Sequence, residues 1–168
     1  MIQNTSPRHK EVDGVIIHSM GEYIGEDYAI DFLEKVGLSA HFFITPDGFI
    51  IHGAPTERVA WHAGQSQFGD QKNLNSTFIG IEIMIAGSHT YATFLEAIKS
   101  PDAFSQNVYE SVASVIGDLM EIYPKITLDR IVRHSDVSGA DVRTDPKHDP
   151  GIGFDMDKLK KLVEDEIA

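Results

Sequence analysis

The sequence predicts an α/β protein built on a single mixed β-sheet, with helices packed on its faces. Two observations support this fold class. Short apolar runs with many β-branched residues alternate along the chain with segments of helical periodicity, which is typical of strands and helices in one layered domain. Two of the apolar runs flank residues 46–48, Pro-Asp-Gly, a strong hairpin signal.

The first half of the chain contains a strand, a helix and the hairpin, in that order. Residues 14–18 (GVIIH) form an apolar run with three β-branched residues, as expected for a buried strand. Residues 26–36 place apolar side chains at helical spacing, and Gly37 is suited to end that helix. The stripe consists of Ala29, Phe32, Leu33 and Val36. The hairpin then covers residues 40–55.

The second half adds two strands and two helices. Residues 78–85 (FIGIEIMI) indicate a buried strand that contains one glutamate, and residues 130–134 (RIVRH) indicate a shorter one. The longest helix is predicted over residues 107–123, and the loop at 139–151 is rich in glycine, aspartate and proline. Asp155 is a predicted N-cap for a last amphipathic helix.

The composition narrows the classes of function. The 168 residues contain no linker or repeat, so we expect one domain over residues 1–168. A net charge of −12 disfavours binding to nucleic acid or to an anionic membrane. The absence of cysteine excludes disulfides, thiolate zinc sites and a cysteine nucleophile, while eight histidines favour a metal site with nitrogen and oxygen ligands.

The N-terminal segment and the apolar runs give an expectation about location. No apolar run approaches the roughly 18–20 residues of a membrane span, and the polar first 14 residues contain no signal-peptide core. We therefore expect a cytoplasmic protein. Release to the cell wall by lysis, or export with a leader that has been removed, are the alternatives.

Three polar side chains are candidate site residues because of their positions in the predicted strands. His18 closes the first apolar strand, His134 closes the strand at residues 130–134, and Glu82 lies inside an apolar run. One histidine at a strand end is more often structural, but two in a small cysteine-free domain favour a shared site. A buried glutamate without an interaction partner strongly destabilises a fold. We therefore expect Glu82 to have either a partner or a functional role.

Catalytic zinc sites use three protein ligands and leave one position open. His18 and His134 could supply two of them, and the loop that follows could supply the third. Spacing alone does not choose among its candidates, which are Asp136, Asp141, Asp145, His148 and Asp149.

Five segments, in order along the chain, resemble a known family. They are VIIHS (15–19), SAHFFITPDGFIIHGAP (39–55), AWHAG (60–64), NSTFIGIEI (75–83), and RHSDVS (133–138) with the later DPG and FD. In this order they resemble the zinc-dependent type-2 N-acetylmuramoyl-L-alanine amidases. That family includes AmpD-like enzymes, phage amidase endolysins and, more remotely, peptidoglycan recognition proteins.

The resemblance implies a function and a set of site residues. The reaction would be hydrolysis of the amide between N-acetylmuramic acid and L-alanine in peptidoglycan or its fragments. One zinc ion per chain would be held by His18, His134 and Asp149. Glu82 would act as general base and Lys147 would stabilise the developing oxyanion.

The loop before the third ligand departs from the family pattern, because residues 138–146 (SGADVRTDP) are interposed. Asp149 fits the pattern better than Asp145, since it has a lysine two positions before it and a glycine after its proline. His148 is the other fallback ligand. In AWHAG, we expect His62 and Trp61 to contact substrate. The alternatives are that Trp61 packs in the core and that His62 holds a loop in place.

Two other functions remain open from the sequence. One is a non-catalytic peptidoglycan-binding protein on the same fold, and the other is a zinc peptidase or amide hydrolase unrelated to the cell wall. For an amidase of this family we expect a monomer that binds peptidoglycan or muropeptide. Intact peptidoglycan and soluble anhydro-muropeptides are both possible substrates.

Overall fold

The computed structural model describes residues 3–21 and 26–168. The strands in this part of the chain are β1 (Thr5–Pro7), β2 (Gly14–Met20), β3 (Phe42–Ile44), β4 (Ile50–His52), β5 (Arg58–Ala60), β6 (Gln67–Phe68), β7 (Gln71–Lys72), β8 (Phe78–Met84) and β9 (Ile131–Arg133). The α-helices are α1 (Glu26–Lys35), α2 (Tyr91–Ala97), α3 (Gln106–Ile122), α4 (His134–Val137) and α5 (Met156–Ile167).

The centre of the fold is a five-stranded mixed sheet in the order β4-β3-β8-β2-β9. The strands β3, β8, β2 and β9 run parallel, and β4 pairs antiparallel with β3 at one edge. The predicted fold class and the predicted hairpin are therefore confirmed. At the hairpin, Gly48 has a φ of 91°, which a glycine adopts without strain.

One face of the sheet is covered by α3 and α5. Alternate side chains of the central strands, such as Ile17 of β2 and Ile81 of β8, pack in one cluster with Val112 of α3 and Val163 of α5. All four side chains are 0% exposed. This face forms the main hydrophobic core, as the period-two alternation of a strand requires.

The opposite face is less uniform. It carries two smaller hydrophobic clusters, one around Ile16 and Phe78 and the other around Met20 and Met84 next to α1. Between these clusters the same strands place His18, which occupies the position between Ile16 and Met20 on that face of β2. The polar side chains on this face of the sheet therefore lie between two hydrophobic clusters.

The two long C-terminal helices both begin at side-chain caps. The hydroxyl of Ser105 accepts a hydrogen bond from the amide of Val108 at the start of α3. The carboxylate of Asp155 accepts one from the amide of Lys158 at the start of α5, which confirms the predicted cap.

The boundaries of two strands differ from the predictions. His18 does not close its strand, because β2 continues to Met20. His134 does not lie in a strand: β9 ends at Arg133, and His134 is the first residue of α4. The carboxylate of Asp136 accepts a hydrogen bond from the Arg133 amide, which caps this short helix and ends the strand one residue early.

Several short elements were not predicted. The helix α2 and the two-stranded sheets β1-β5 and β6-β7 have few residues each, so their patterns are weak in sequence. Among the helices in the described part of the chain, none has the length and apolar character needed to cross a membrane.

Candidate metal centre and active site

Two histidines and one aspartate converge on a single point of the open face. The Nδ1 atoms of His18 and His134 are 3.0 Å apart, and Asp149 Oδ2 lies 3.2 Å from the first and 3.3 Å from the second. Among the residues that the structure describes, these three side chains form the group that could hold a metal ion, because their ligand atoms all lie within 4.8 Å of one another.

Sheet topology brings the two histidines together. The strands β2 and β9 are parallel neighbours, and Ile17 pairs with Arg133. The next residue on each chain is one of the histidines, so both side chains emerge at the same level of the sheet. The imidazole of His134 is held from behind, because its Nε2 lies 3.0 Å from the carbonyl oxygen of Ala63.

The third member of the group comes from the long loop before α5. The amide of Ser135 donates to the carbonyl of Asp149 at 3.0 Å, and the amide of Lys147 donates to the carbonyl of Ser138 at 2.9 Å. These bonds tie the end of the loop back to α4. Asp149 is therefore fixed next to His134 even though the loop between them is long.

The other candidate ligands in this loop do not join the two histidines, although His148 lines the same cavity. Asp145 is 73% exposed and forms a bidentate pair with the guanidinium of Arg143. Asp136 caps α4, and Asp141 and His148 are exposed. Of the five candidates from the sequence, Asp149 is the one that the structure brings to the two histidines.

The environment fixes the charges of this group. The pKa of His18 is lowered to about 4, chiefly because the ring is buried and also because His134 lies beside it. Burial alone raises the pKa of Asp149, but the charge interactions and hydrogen bonds with His134 and His18 outweigh burial and lower that pKa overall. At neutral pH the group contains a neutral His18 and an ionised Asp149, the protonation states that metal binding requires.

Glu82 lies beside this group on the neighbouring strand. In the parallel pair of β2 and β8, Glu82 is the register partner of His18, so the two side chains point to the same face. Glu82 is only 7% exposed, yet it lines the cavity that opens over the cluster.

A cavity of about 470 Å³ opens over these residues. The predicted ligands and catalytic groups all line it, namely His18, Glu82, His134, Lys147 and Asp149, and so does the fallback ligand His148. Apolar side chains from α1 and α2 form another wall, among them Leu33, Tyr91, Phe94 and Leu95. A cavity with apolar walls and a few converging polar groups is typical of a small-molecule site.

The two residues predicted to contact substrate have different surroundings. His62 is 6% exposed and borders the cavity, but its Nδ1 lies 2.9 Å from His18 Nε2 and its Nε2 lies 3.0 Å from the Phe78 carbonyl. Trp61 is not among the residues that line this cavity, and its indole N–H donates to the hydroxyl of Ser6. Contact of either residue with substrate stays a prediction.

Some residues of the cavity were not singled out from the sequence. Arg143 lines it from the interposed loop, and its guanidinium is oriented by Asp145. Because α2 was not predicted from the sequence, the cavity wall that it forms was not predicted either. A signal for α2 was present, because Thr90 and Thr93 form a capping box at its start.

Comparison with known proteins gives the family. The family model described as N-acetylmuramoyl-L-alanine amidase matches residues 8–152. The chain is 33% identical over 131 residues to 1,6-anhydro-N-acetylmuramyl-L-alanine amidase AmpD of Escherichia coli strain K12, which covers 78% of this chain and 61% of that protein. It is 29% identical to AmpD of Haemophilus influenzae, over 94% of this chain and 85% of that one. The chain thus spans less than two thirds of the Escherichia coli relative.

Solved structures show the same fold. The crystal structure of a selenomethionine derivative of AmpD matches with a TM-score of 0.75 and 23% identity, over 96% of this chain and 90% of that one. AmiD from Escherichia coli, in complex with the substrate anhydro-N-acetylmuramic acid-L-Ala-D-gamma-Glu-L-Lys, matches with a TM-score of 0.70 and 24% identity, over 96% and 60%. Since the family model covers most of the residues that build the sheet and the cavity, this chain belongs to the type-2 N-acetylmuramoyl-L-alanine amidase family.

Proposed function

We propose that this protein is a zinc-dependent amidase that hydrolyses the amide between N-acetylmuramic acid and L-alanine in peptidoglycan fragments. The observation that carries the proposal is the convergence of His18, His134 and Asp149 in one cavity with Glu82. Family membership supports the choice of reaction, because the same donor set alone would suit other amide hydrolases.

The donor set fits a single zinc ion. Two imidazole nitrogens and one carboxylate oxygen are a ligand set of catalytic zinc sites, which keep a further position open. The three atoms lie 3.0–3.3 Å apart and face one another. His134 donates its Nε2 proton to the Ala63 carbonyl, so the neutral form of this ring presents its Nδ1 lone pair to the cluster. Such a group of acceptors is stabilised by a cation.

The side chains around this centre would share the work of hydrolysis. A zinc ion bound there would polarise the scissile carbonyl and make a water molecule more acidic. Glu82 would accept the proton of the attacking water and return it to the departing nitrogen of L-alanine. Lys147 would donate to the carbonyl oxygen as negative charge develops on it.

A soluble fragment is the substrate class that we favour. The relatives compared above are named for 1,6-anhydro-N-acetylmuramyl-L-alanine, and the AmiD complex contains an anhydro-muropeptide. The net charge of −12 also disfavours approach to an anionic wall polymer. Within the cavity, Lys147 and Arg143 supply local positive charge that suits the carboxylates of a stem peptide.

The test offers the zinc-loaded protein a soluble anhydro-muropeptide and intact sacculi side by side and follows the products by mass spectrometry. We expect a free stem peptide that begins with L-alanine, released faster from the soluble fragment. Glu82→Gln should lower the rate about 10²–10⁴-fold because it removes the general base. Glu121→Gln, on the exposed surface of α3, is the matched control.

Two outcomes would count against the proposal. Wild-type turnover by Glu82→Gln would mean that the assigned base is wrong. A wild-type protein that binds muropeptide without cleaving it, in the presence of zinc, would favour a non-catalytic peptidoglycan-binding protein.

A further inference from the structure

The imidazole of His18 has a second protein contact on the side away from the cluster. Its Nε2 lies 2.9 Å from Nδ1 of His62, and Nε2 of His62 lies 3.0 Å from the carbonyl oxygen of Phe78. These contacts form a line from a backbone carbonyl in β8, through one buried ring, to a second buried ring at the candidate metal centre.

The direction of the hydrogen bonds along this line follows from the backbone carbonyl at its end. A carbonyl oxygen can only accept, so Nε2 of His62 must carry the proton. The ring of His62 is only 6% exposed, and its two nitrogens face a backbone carbonyl and a second imidazole, neither of which balances a positive charge, so the ring is neutral and Nδ1 is bare. The bare nitrogen accepts from His18, whose proton is therefore on Nε2.

This arrangement selects one of the two neutral forms of His18. With its proton on Nε2, the ring presents an unprotonated Nδ1 to His134 and Asp149. The other neutral form would place a proton on Nδ1, where a metal ligand needs a lone pair. The energy difference between the forms is set by a hydrogen bond that lies outside the cluster.

We propose that His62 is a positioning residue that fixes the tautomer and the ring orientation of His18 for metal binding; this inference deepens the proposed function and rests on it. It replaces substrate contact as the role of His62, because both ring nitrogens are engaged within the protein. The segment at residues 60–64 then has a common purpose, since the neighbouring Ala63 carbonyl orients His134 in the same way.

The surroundings of His62 hold it in this position. The side-chain oxygen of Asn75 accepts hydrogen bonds from the amides of both His62 and Ala63, at 3.1 and 2.8 Å. The ring lies over Gly80 of β8, where a Cβ atom would come within 2.5 Å of the imidazole Cγ. A glycine at this position of a buried strand thus provides the space that the ring needs.

The experiment measures zinc affinity by chelator competition in three zinc-loaded variants. His62→Phe fills the space of the ring but removes the acceptor, so we expect the zinc dissociation constant to rise about 10–100-fold. His62→Asn can place its side-chain oxygen near the position of Nδ1, so it should recover most of that loss. His41→Asn is the matched control, because His41 is also buried and contacts Gly80 but not His18.

Nuclear magnetic resonance of the histidine-¹⁵N-labelled, zinc-loaded protein gives an independent readout. We expect a scalar coupling across the hydrogen bond between His18 Nε2 and His62 Nδ1. Zinc bound to Nδ1 of His18 would by itself place the proton on Nε2, but it would not produce a coupling to His62. Circular dichroism checks that each variant is folded.

Failure of this inference is distinguishable from failure of the proposed function. If wild-type protein binds zinc and cleaves muropeptide, while folded His62→Phe retains wild-type zinc affinity, the positioning role is overturned. A missing coupling in a wild-type protein that binds zinc would overturn it as well. A wild-type protein that binds no zinc would overturn the proposed function and the role of His62 with it.

Discussion

The two faces of the central sheet use the same strands for opposite purposes. On the face under α3 and α5, Ile17 and Ile81 are completely buried in the main hydrophobic core. On the other face, the adjacent residues His18 and Glu82 line the cavity. Because side chains alternate along a strand, Ile17 and Ile81 can stabilise the fold while the next residue on each strand faces the cavity.

This difference shows how a small domain can separate stability from function. The closed face has an almost continuous apolar layer, whose burial is the main driving force for folding. The open face places a polar group between two small hydrophobic clusters, which pack on either side of it. Substitutions on the two faces should therefore change different properties, and the following four predictions test that separation.

The largest effect is expected at the third candidate ligand. Asp149→Asn should abolish zinc binding and with it the cleavage of muropeptide, because an amide is a poor replacement for the ionised carboxylate. Zinc content is measured by inductively coupled plasma mass spectrometry. The control is Asp145→Asn, which alters the other Asp-Pro pair and should retain its zinc, since Asp145 pairs with Arg143 at the surface. Equal zinc loss in both variants would contradict the assignment.

The next effect is expected on the closed face. Ile81→Ala should lower the free energy of unfolding by about 2–5 kcal/mol, because it removes buried methyl groups and leaves a cavity. Chemical denaturation measures this change. Below the unfolding transition, zinc affinity should stay at the wild-type value. A variant that loses zinc while it remains folded would break the separation between the faces.

A smaller effect is expected at the rim of the cavity. Lys147→Ala should reduce turnover about 10²–10³-fold, as expected for the loss of one donor to a developing oxyanion. The free energy of unfolding and the zinc content should change little. Turnover under substrate saturation is the measurement, and Lys158→Ala on α5 is a control with the same change of charge. A Lys147→Ala variant in which only KM rises would instead indicate a role in binding.

The smallest effect concerns pH and the buried His41 on the open side. Burial lowers the pKa of His41 to about 4, partly opposed by the hydrogen bond to the Arg58 carbonyl. Between about pH 6.5 and 4 the unfolded chain binds a proton that the folded chain does not, so stability falls as pH falls. His41→Asn should remove up to about 3 kcal/mol of this pH dependence. Denaturation curves at pH 7 and pH 4.5 measure it, and an unchanged slope would refute the prediction.

The sequence by itself determined the longer regular elements and the candidates from which the site is drawn. The β-branched runs, the Pro-Asp-Gly turn and the cap at Asp155 act over a few residues, so their structural effect is readable locally. The prediction that Glu82 needs a special environment also followed from sequence, since it interrupts an apolar run. The family resemblance added the pairing of Glu82 with the metal-ligand candidates.

Only the tertiary structure decided how these residues meet. Spacing in the sequence could not choose among five loop residues, because the contact between His18 and Asp149 joins residues 131 positions apart. The same holds for His62, which is 44 positions from His18 and whose ring nitrogens are both engaged by residues outside its own segment. Local propensity depends on neighbours along the chain, whereas tautomers and ligand geometry depend on neighbours in space, which the packing of the sheet and its loops supplies.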